Sequence, residues 1–359
     1  MYYISGIQQI GIGVYNAQEA WKWYRRNLGF DILMFDDTGT AKDMLPYTGG
    51  KPQDRHAILV INLQGGGGIE IWQYTTRKPT PPAFDVQIGD LGINIVKIKS
   101  TNVASAYSAL NRRGVDILAD VMRDPAGKEC FYLKDLSGNI LQVTGSDTMF
   151  NDTGTDTGGV YGAIIGVTNI EKSMDFYDTI LGYDTVIYDR QGWFDDFAAL
   201  PGGSGIFRRM LLAHGEPRKG PFCNILGDSR IELVKALDRV PNEIYENRFW
   251  GDPGFIQICF DIRGMLDLKK KCEHYGAPFT ADSNPEAYSS AGRSFEMGEA
   301  SGHFTYIEDP DGTLIEFVET HKIPIVKKLG WHLDLKKRSP EKPLPDWTLK
   351  ILRWNRVKD

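Results

Sequence analysis

The sequence predicts an α+β fold in which one pattern, a strand, a helix and three further strands, occurs four times along 359 residues. Self-similarity in two kinds of segment carries this prediction. The first kind is a helix: residues 16–29 and 169–182 both begin at an Asn cap, carry an aromatic residue followed by Tyr at the same offset, and end in Leu-Gly. The matching offsets indicate that these two helices occupy the same place in related units.

The second kind of segment is the strand that ends each unit. Four apolar strands each carry one acid or amide near the middle, namely Glu70, Gln142, Glu232 and Glu316. In the second and fourth units this residue follows an Asp by seven positions. A single strand carboxylate could face solvent, but burying one without a partner is costly. The repetition therefore favours a shared role for the four positions.

The elements follow in a regular order. The first strand, residues 7–14, alternates so that Gln9 lies on the face opposite Ile10 and Ile12, and a helix over residues 17–28 follows. A long polar segment, residues 36–55, is long enough to cover a pocket. The same order predicts four modules, at about residues 4–74, 90–146, 160–237 and 253–320.

A polar segment rich in Asp, Thr and Gly separates the second module from the third, and it predicts a linker over residues 148–158. We therefore expect one domain over residues 1–147, a second over 159–321, and a basic tail with Trp and Pro over 322–359. The body is acidic, so the tail is expected to lie across it, with its tryptophans docked and its basic residues paired.

Composition limits the classes of partner and compartment. The net charge of −6 argues against nucleic acid as the main partner, and no segment approaches the length of a membrane span. The four cysteines have no CxxC spacing, and the first residues lack the features of a signal peptide. We expect a cytoplasmic protein that acts on or binds a small molecule, without nucleic acid or membrane, as a monomer or homodimer.

Four strand–helix–strand–strand–strand units with these helix and strand repeats resemble the vicinal oxygen chelate superfamily, over about residues 4–321. This family includes glyoxalases, methylmalonyl-CoA epimerases, extradiol dioxygenases and bleomycin-resistance proteins. The resemblance implies two glyoxalase-like domains with curved mixed sheets and helices outside. It leaves the function open, because the fold hosts lyases, isomerases, oxygenases and binding proteins.

In this family each unit can give one metal ligand from its first strand and one from its last. Carried over by position, the last-strand sites are the four acids and amides named above. The first-strand sites are Gln9, then Ile95 or its neighbour Asn94, then Gly162, and Gln257. The second and third units thus have no usual ligand on their first strands.

The pairing of units decides what this ligand set means. If each sheet pairs two units of one half, neither half has four ligands. If the first unit pairs with the fourth, one site is complete and the other has decayed, which is the more economical arrangement. The complete site would consist of Gln9, Glu70, Gln257 and Glu316.

The complete set supplies four oxygen donors, two neutral and two anionic. Such a set suits an octahedral divalent cation, with Mg, Mn, Ni, Co or Zn as candidates and the all-oxygen shell favouring Mg, Mn or Ca over Zn. The resemblance implies that Glu316 and Glu70 act as general bases on opposite sides of a substrate, next to its carbonyl. No cofactor-binding residue is assigned, and use of a thiol cofactor stays open.

Three functions stay open at this point. The first is a glyoxalase-like, metal-dependent lyase or isomerase that acts next to a carbonyl through an enediolate. The second is a metal-free binding or resistance protein of the same fold. The third, an extradiol-type iron dioxygenase, is disfavoured because none of the six histidines lies at a ligand position.

Several other residues have two interpretations. His303 could line the pocket or be a satisfied core residue. The aromatic residues Trp193, Phe194 and Phe197 could form a substrate lid or pack against the protein itself. Arg208 and Arg209 are adjacent, so they alternate faces, and we expect solvent exposure rather than binding of an anionic substrate.

Overall fold

The computed structural model describes residues 1–288, 295–297, 300–326 and 331–357. Unit one contains β1 Tyr3–Gly13, α1 Ala17–Leu28, β2 Ile32–Ala41, β3 Gln53–Ile61 and β4 Gly68–Tyr74. Unit two contains β5 Gly92–Ser100, α2 Val103–Arg112, β6 Met122–Arg123, β7 Glu129–Lys134 and β8 Ile140–Gly145. Both units have the order predicted from the sequence.

Unit three contains β9 Thr157–Gly166, α3 Ile170–Leu181, β10 Thr185–Gly192, β11 Phe207–Ala213, the short α4 Cys223–Leu226 and β12 Arg230–Ala236. Unit four contains β13 Gly254–Arg263, α5 Met265–Tyr275, β14 Ala281–Asp282, β15 Phe295–Met297, β16 Ala300–Glu308 and β17 Leu314–Val326. The tail adds β18 Trp331–Asp334 and α6 Asp346–Lys350. The α+β fold of four such units is confirmed.

The two repeated helices, α1 and α3, begin and end at the capping residues that the sequence predicts. The Asn16 side chain accepts a hydrogen bond from the Glu19 amide at 3.1 Å, which satisfies one of the free N–H groups of the first turn of α1. The helix ends at Gly29, whose φ of 73° is a left-handed conformation that glycine adopts without strain. Asn169 and Gly182 do the same for α3.

The sheets pair the units crosswise. One sheet has the strand order β14-β16-β17-β13-β1-β4-β3-β2, with β15 and β18 paired at its β16–β17 side, and it combines units one and four. The other has the order β10-β11-β12-β9-β5-β8-β7-β6 and combines units two and three. The crossed arrangement is therefore confirmed, and pairing within each half is wrong. The domain boundaries assigned from the sequence stay a prediction.

Strand alternation fixes which residues face the inside of each sheet. In β1 the side chains of Ile10 and Ile12 are fully buried in the main core, which includes residues of α1, α2, α3 and α5. Burying each contributes about 2 kcal/mol, so a one-residue slip, which would exchange them with Gln9 and Gly11, is strongly disfavoured. The opposite face of the sheet is left for the polar residues.

The tail docks differently from the prediction. Its leucines, Leu335, Leu344 and Leu349, are buried in a cluster with residues of β2, β3 and α4. Trp347 and Trp354 are 58% and 66% exposed, so the prediction that the tryptophans dock is wrong for these two. The side chain of the third predicted tryptophan, at position 331, lies outside the described residues. One basic residue does pair with the body, since Arg356 lies 3.1 Å from Asp31.

Candidate metal site and its paired counterpart

The four predicted ligands of units one and four converge on one face of their shared sheet. Gln9 lies on β1, Glu70 on β4, Gln257 on β13 and Glu316 on β17, and none is more than 7% exposed. The Gln9 amide donates to Glu70 at 3.2 Å. The Gln257 amide lies between the two acids, 3.4 Å from Glu70 and 3.3 Å from Glu316.

The sheet register brings these residues together. Parallel pairing places Glu70 opposite Gly11 and Glu316 opposite Cys259, at equivalent positions of the two units. Antiparallel pairing of β1 with β13 places Gly11 opposite Gln257. A Cβ at Gly11 would lie 2.5 Å from the Gln257 side chain, so glycine is required for that amide to cross β1.

The two carboxyl groups form an unneutralised pair. Burial and the charge of Glu70 raise the pKa of Glu316 to about 8. Burial also raises the pKa of Glu70, and the Arg55 charge offsets only part of this effect. Among the described residues neither acid forms an ion pair, and Arg55 itself pairs with Asp37 at 2.9 Å. The pair therefore either keeps a proton or requires a cation.

Aromatic residues of β4, β16 and the loop before β13 cover the site. The Trp250 indole N–H donates to the Gln257 carbonyl oxygen at 3.0 Å. The rings of Trp72 and Trp250 are 4.2 Å apart, and Tyr306 packs on Trp250 at 6.2 Å. This cluster keeps bulk water from the acids, which is why their charged forms are disfavoured.

The residues present fit a divalent cation. The Gln9 carbonyl oxygen is buried without a hydrogen-bond donor, as an oxygen left for an ion would be. Rotating the Gln9 amide by half a turn exchanges its nitrogen for its oxygen beside Glu70, whereas Gln257 would have to give up the hydrogen bond from Trp250 to present its oxygen to an ion. No group of three or more His, Cys, Asp or Glu among the described residues could hold a metal. A site here must therefore include the glutamines.

The counterpart in units two and three is filled by protein cations. The Lys97 ammonium donates to the Gln142 carbonyl oxygen at 2.6 Å and to Glu232 at 2.7 Å. The other oxygen of Glu232 accepts from Arg209 at 2.7 Å and from Tyr188 at 2.7 Å. Burial alone would raise the pKa of Glu232, but the two cations outweigh it and lower that pKa to about 2.

The first-strand positions explain why this second site differs. Ile95 and Gly162 are the equivalents of the two glutamines, as their pairing with Ile164 and Lys97 across β5 and β9 shows. A Cβ at Gly162 would lie 1.8 Å from the Arg230 carbonyl oxygen, so a ligand side chain cannot be placed there. The alternative residue, Asn94, instead binds the backbone of the turn over residues 89–92.

Lys97 was not among the predicted site residues, and the expectation that Arg209 is exposed to solvent is wrong. Arg209 has no exposed side-chain surface, and it donates to Asp196 at 2.6 Å in addition to Glu232. Its neighbour Arg208 faces outward and pairs with Asp189 at 2.8 Å. The available signal was a cation inside an apolar strand, the same signal that identified Glu316.

The remaining candidates take structural positions. Phe197 is buried, with its ring centre 3.6 Å from the Arg209 guanidinium, whereas Trp193 is half exposed. The aromatic cluster of residues 193–197 therefore packs on the filled site. His303 is buried and lies 2.6 Å from Asp282. Neither contributes to the four-residue site.

Comparison with known proteins agrees with this architecture. A sequence model of the Glyoxalase/Bleomycin resistance protein/Dioxygenase superfamily matches residues 6–143. No curated protein matches the chain. Of the helices described, none is long and apolar enough to cross a membrane.

Two solved structures share the fold over most of both chains. One, from Bacillus subtilis subsp. subtilis str. 168, is titled a "putative dioxygenase"; it has a TM-score of 0.54 and 15% identity, over 88% of this chain and 86% of that one. Glyoxalase I from Zea mays has a TM-score of 0.51 and 12% identity, over 88% and 92%. At such identities the likeness concerns the fold alone. The superfamily match is confined to residues 6–143, whereas the likeness of the fold extends over most of the chain.

Proposed function

We propose that the protein is a metal-dependent lyase or isomerase that acts next to a carbonyl of a small molecule through an enediolate. Gln9, Glu70, Gln257 and Glu316 would hold one divalent cation, drawn from Mg, Mn, Ni, Co or Zn. We also propose a cytoplasmic location, which the four free cysteines support.

The observation that carries the proposal is the buried acid pair without a counter-charge. Two carboxyl groups side by side in an apolar setting are costly unless a cation joins them or one stays protonated. The same sheet position in units two and three carries two cations for its one central acid. Among the described residues, the acids at this sheet position thus lack a cation only in units one and four.

The side chains of the site suit proton transfer. A carboxylate whose pKa is raised is a stronger base than a free glutamate, so Glu316 suits removal of a proton from carbon. Glu316 lies on β17 beside β13, and Glu70 lies on β4 beside β1. Glu70 would therefore return a proton from the opposite side of the substrate. The amides of Gln9 and Gln257 hold both acids in place, and Trp250 orients Gln257. The bound ion would supply Lewis-acid stabilisation of negative charge on the substrate oxygen.

The test is exchange of carbon-bound hydrogen with solvent. Hydroxyacetone in deuterium oxide, followed by proton NMR with Mg²⁺ or Zn²⁺ added, should lose its signal next to the carbonyl faster with wild type than without protein. Glu316→Gln should slow this exchange by about 100-fold or more. Gln9→Ala should also lose the metal-stimulated exchange. Gln142→Ala is the matched change in the other sheet and should keep this exchange. Absence of metal-stimulated exchange, or exchange that survives Glu316→Gln, would contradict the proposal.

A metal-free binding protein is the second candidate, and the aromatic cover favours it. Trp72, Trp250 and Tyr306 form an apolar wall over a site whose polar atoms largely satisfy one another. Such a protein would take up no ion, and Glu316→Gln would leave its ligand affinity unchanged. Dialysis against the candidate metals separates the two functions.

A further inference from the structure

A second unpartnered acid lies on the same inner face as the candidate metal site. Asp261, on β13, has no exposed surface, and neither of its carboxylate oxygens accepts a hydrogen bond of good geometry from a described residue, although the Ser5 side chain is close enough to lower its pKa. Buried polar groups in native proteins are nearly always hydrogen-bonded, so an acid with two free oxygens indicates a missing partner.

The strand places Asp261 in line with the site. Side chains two residues apart share a face, so Gln257, Cys259 and Asp261 all point inward. Cys259 pairs with Glu316, and Asp261 is about 7 Å further along the strand. The separation suits a small molecule that reaches both acids.

Two irregularities in β1 lie opposite this part of β13. Opposite β13, the pairing of β1 skips Ser5 and Gln8, which are the extra residues of two bulges. Bulges of this kind re-aim side chains next to functional sites. Gln8 lies 3.5 Å from the Cys259 sulfur, and Ser5 is near enough to lower the pKa of Asp261. The two bulges therefore mark the stretch between the candidate metal site and Asp261.

The charges near Asp261 do not balance. Arg263 lies 3.6 Å from Glu319 and donates to the carbonyl oxygens of Thr320 and Leu335. One guanidinium is thus shared between two acids. Burial is the main cause that raises the pKa of Asp261 to about 8, with a smaller effect from Glu319. Among the described residues, Asp261 thus has only a share of one cation.

The segment that covers Asp261 comes from unit three. Gly6 packs against Leu226 of α4, and a Cβ at Gly6 would lie 2.9 Å from the Leu226 side chain. The tail holds this segment, since Leu344 donates to the Pro221 carbonyl oxygen at 2.8 Å. Cys223 and Gln8 are half-buried at its edge, so solvent reaches the margin of the covered space.

We infer that Asp261 binds the far end of the substrate, and that this substrate is an α-hydroxycarbonyl compound with a protonated amine at its other end. The inference rests on the proposed function, which places the reacting carbonyl at Glu70 and Glu316. Asp261 acts as a specificity-determining residue that touches the ligand and takes no part in the proton transfer. The amine would donate to the free oxygens of Asp261 and supply the missing positive charge.

The experiment compares two ligands that differ only at their far end. 7-amino-1-hydroxyheptan-2-one carries an ammonium group where 1-hydroxyoctan-2-one carries a methyl group. Affinities of both are measured by calorimetry on the full chain with Mg²⁺, for wild type, Asp261→Asn and Asp261→Val. Wild type should bind the ammonium compound at least about tenfold more tightly, because a buried charge gains its partner. Both variants should lose this preference while they bind the methyl compound as wild type does.

The outcomes separate this inference from the proposed function. Equal affinities in wild type, no binding of either compound, or a preference that survives Asp261→Asn would overturn the role of Asp261. A buried water that bridges Asp261 to the free Nε of Arg263 would give that result, with lower stability in the variants. Solvent exchange of 1-hydroxyoctan-2-one tests the proton transfer on its own, because this ligand has no group for Asp261.

Discussion

The two sheets are built from related units, but their buried acids have different partners. Glu232 lies between Lys97 and Arg209, each at 2.7 Å, whereas the hydrogen bonds from Gln257 to Glu70 and Glu316 are amide contacts of 3.4 Å and 3.3 Å. Charge-assisted hydrogen bonds are shorter and stronger than neutral ones. One site contains its cations within the chain, whereas the acids of the other meet no cation among the described residues, and we propose that a metal ion supplies this charge.

The difference has a local cause. Lys97 occupies the strand position that is Gly11 in unit one and Cys259 in unit four, since each pairs with the last-strand acid or amide of its unit. A glycine there admits the Gln257 amide, whereas a lysine there brings a charge into the centre. One residue type at one register position thus decides whether the centre can accept an ion.

Removing Arg209 tests the filled site most severely. Arg209→Leu leaves Glu232 and Asp196 with one cation between them, so we expect a loss of about 3–5 kcal/mol in the free energy of unfolding. Urea denaturation measures it. Arg208→Leu is the matched control, and its exposed ion pairs predict a loss of under about 1 kcal/mol. Similar losses in both variants would show that Arg209 is not a structural counter-ion.

The same amide substitution should have opposite signs in the two sites. In the presence of a chelator at neutral pH, Glu316→Gln removes a repelled acid and should raise the free energy of unfolding by at least about 1 kcal/mol. Glu232→Gln removes the carboxylate that pairs with Lys97 and Arg209, so it should lower the free energy of unfolding by about 3 kcal/mol. Destabilisation by both variants in urea would remove the contrast between the sites.

The pH dependence of stability should also divide between the sites. Glu316 has a folded pKa of about 8 against an ordinary value of 4.5, so the folded chain holds an extra proton between these limits and metal-free protein loses stability as the pH rises from 4.5 to 8. Glu232, with a pKa of about 2, contributes stability above pH 4.5 that is lost as the pH falls toward 2. Urea midpoints across this pH range measure both slopes. Glu316→Gln should reduce the first slope, and the part that remains comes from Asp261, whose pKa burial also raises to about 8. A slope of unchanged size in that variant would contradict the assignment.

The smallest expected effect concerns the amides. Gln9→Ala removes one of four donors and should weaken divalent-metal affinity by at least about tenfold. Gln142→Ala should leave that affinity unchanged, because its partner is Lys97. Calorimetric titration with Mn²⁺ compares the two. An equal loss of Mn²⁺ affinity in both variants would contradict the assignment of the ion to the sheet of units one and four.

The sequence was sufficient for the repeat, the crossed pairing and the convergence of Gln9, Glu70, Gln257 and Glu316, because each depends on a pattern that recurs at matching offsets. The Lys97–Glu232–Arg209 network could not be predicted in the same way. Its members come from β5, β12 and β11 of two units, and only the assembled sheet shows which charges face each other. The prediction for the tail was wrong for a related reason. Its leucines pack in a cluster with residues of the body, and the composition of the tail does not reveal that cluster.

The number of divalent ions bound per chain decides whether units one and four form a cation site. Equilibrium dialysis of wild type, Glu316→Gln and Lys97→Met against Mn²⁺ and Mg²⁺ determines it. We expect one ion per wild-type chain, its loss in Glu316→Gln, and its retention in Lys97→Met, since Lys97 belongs to the other sheet. No bound ion in wild type, or an ion that survives Glu316→Gln, would contradict the claim that units one and four form the cation site.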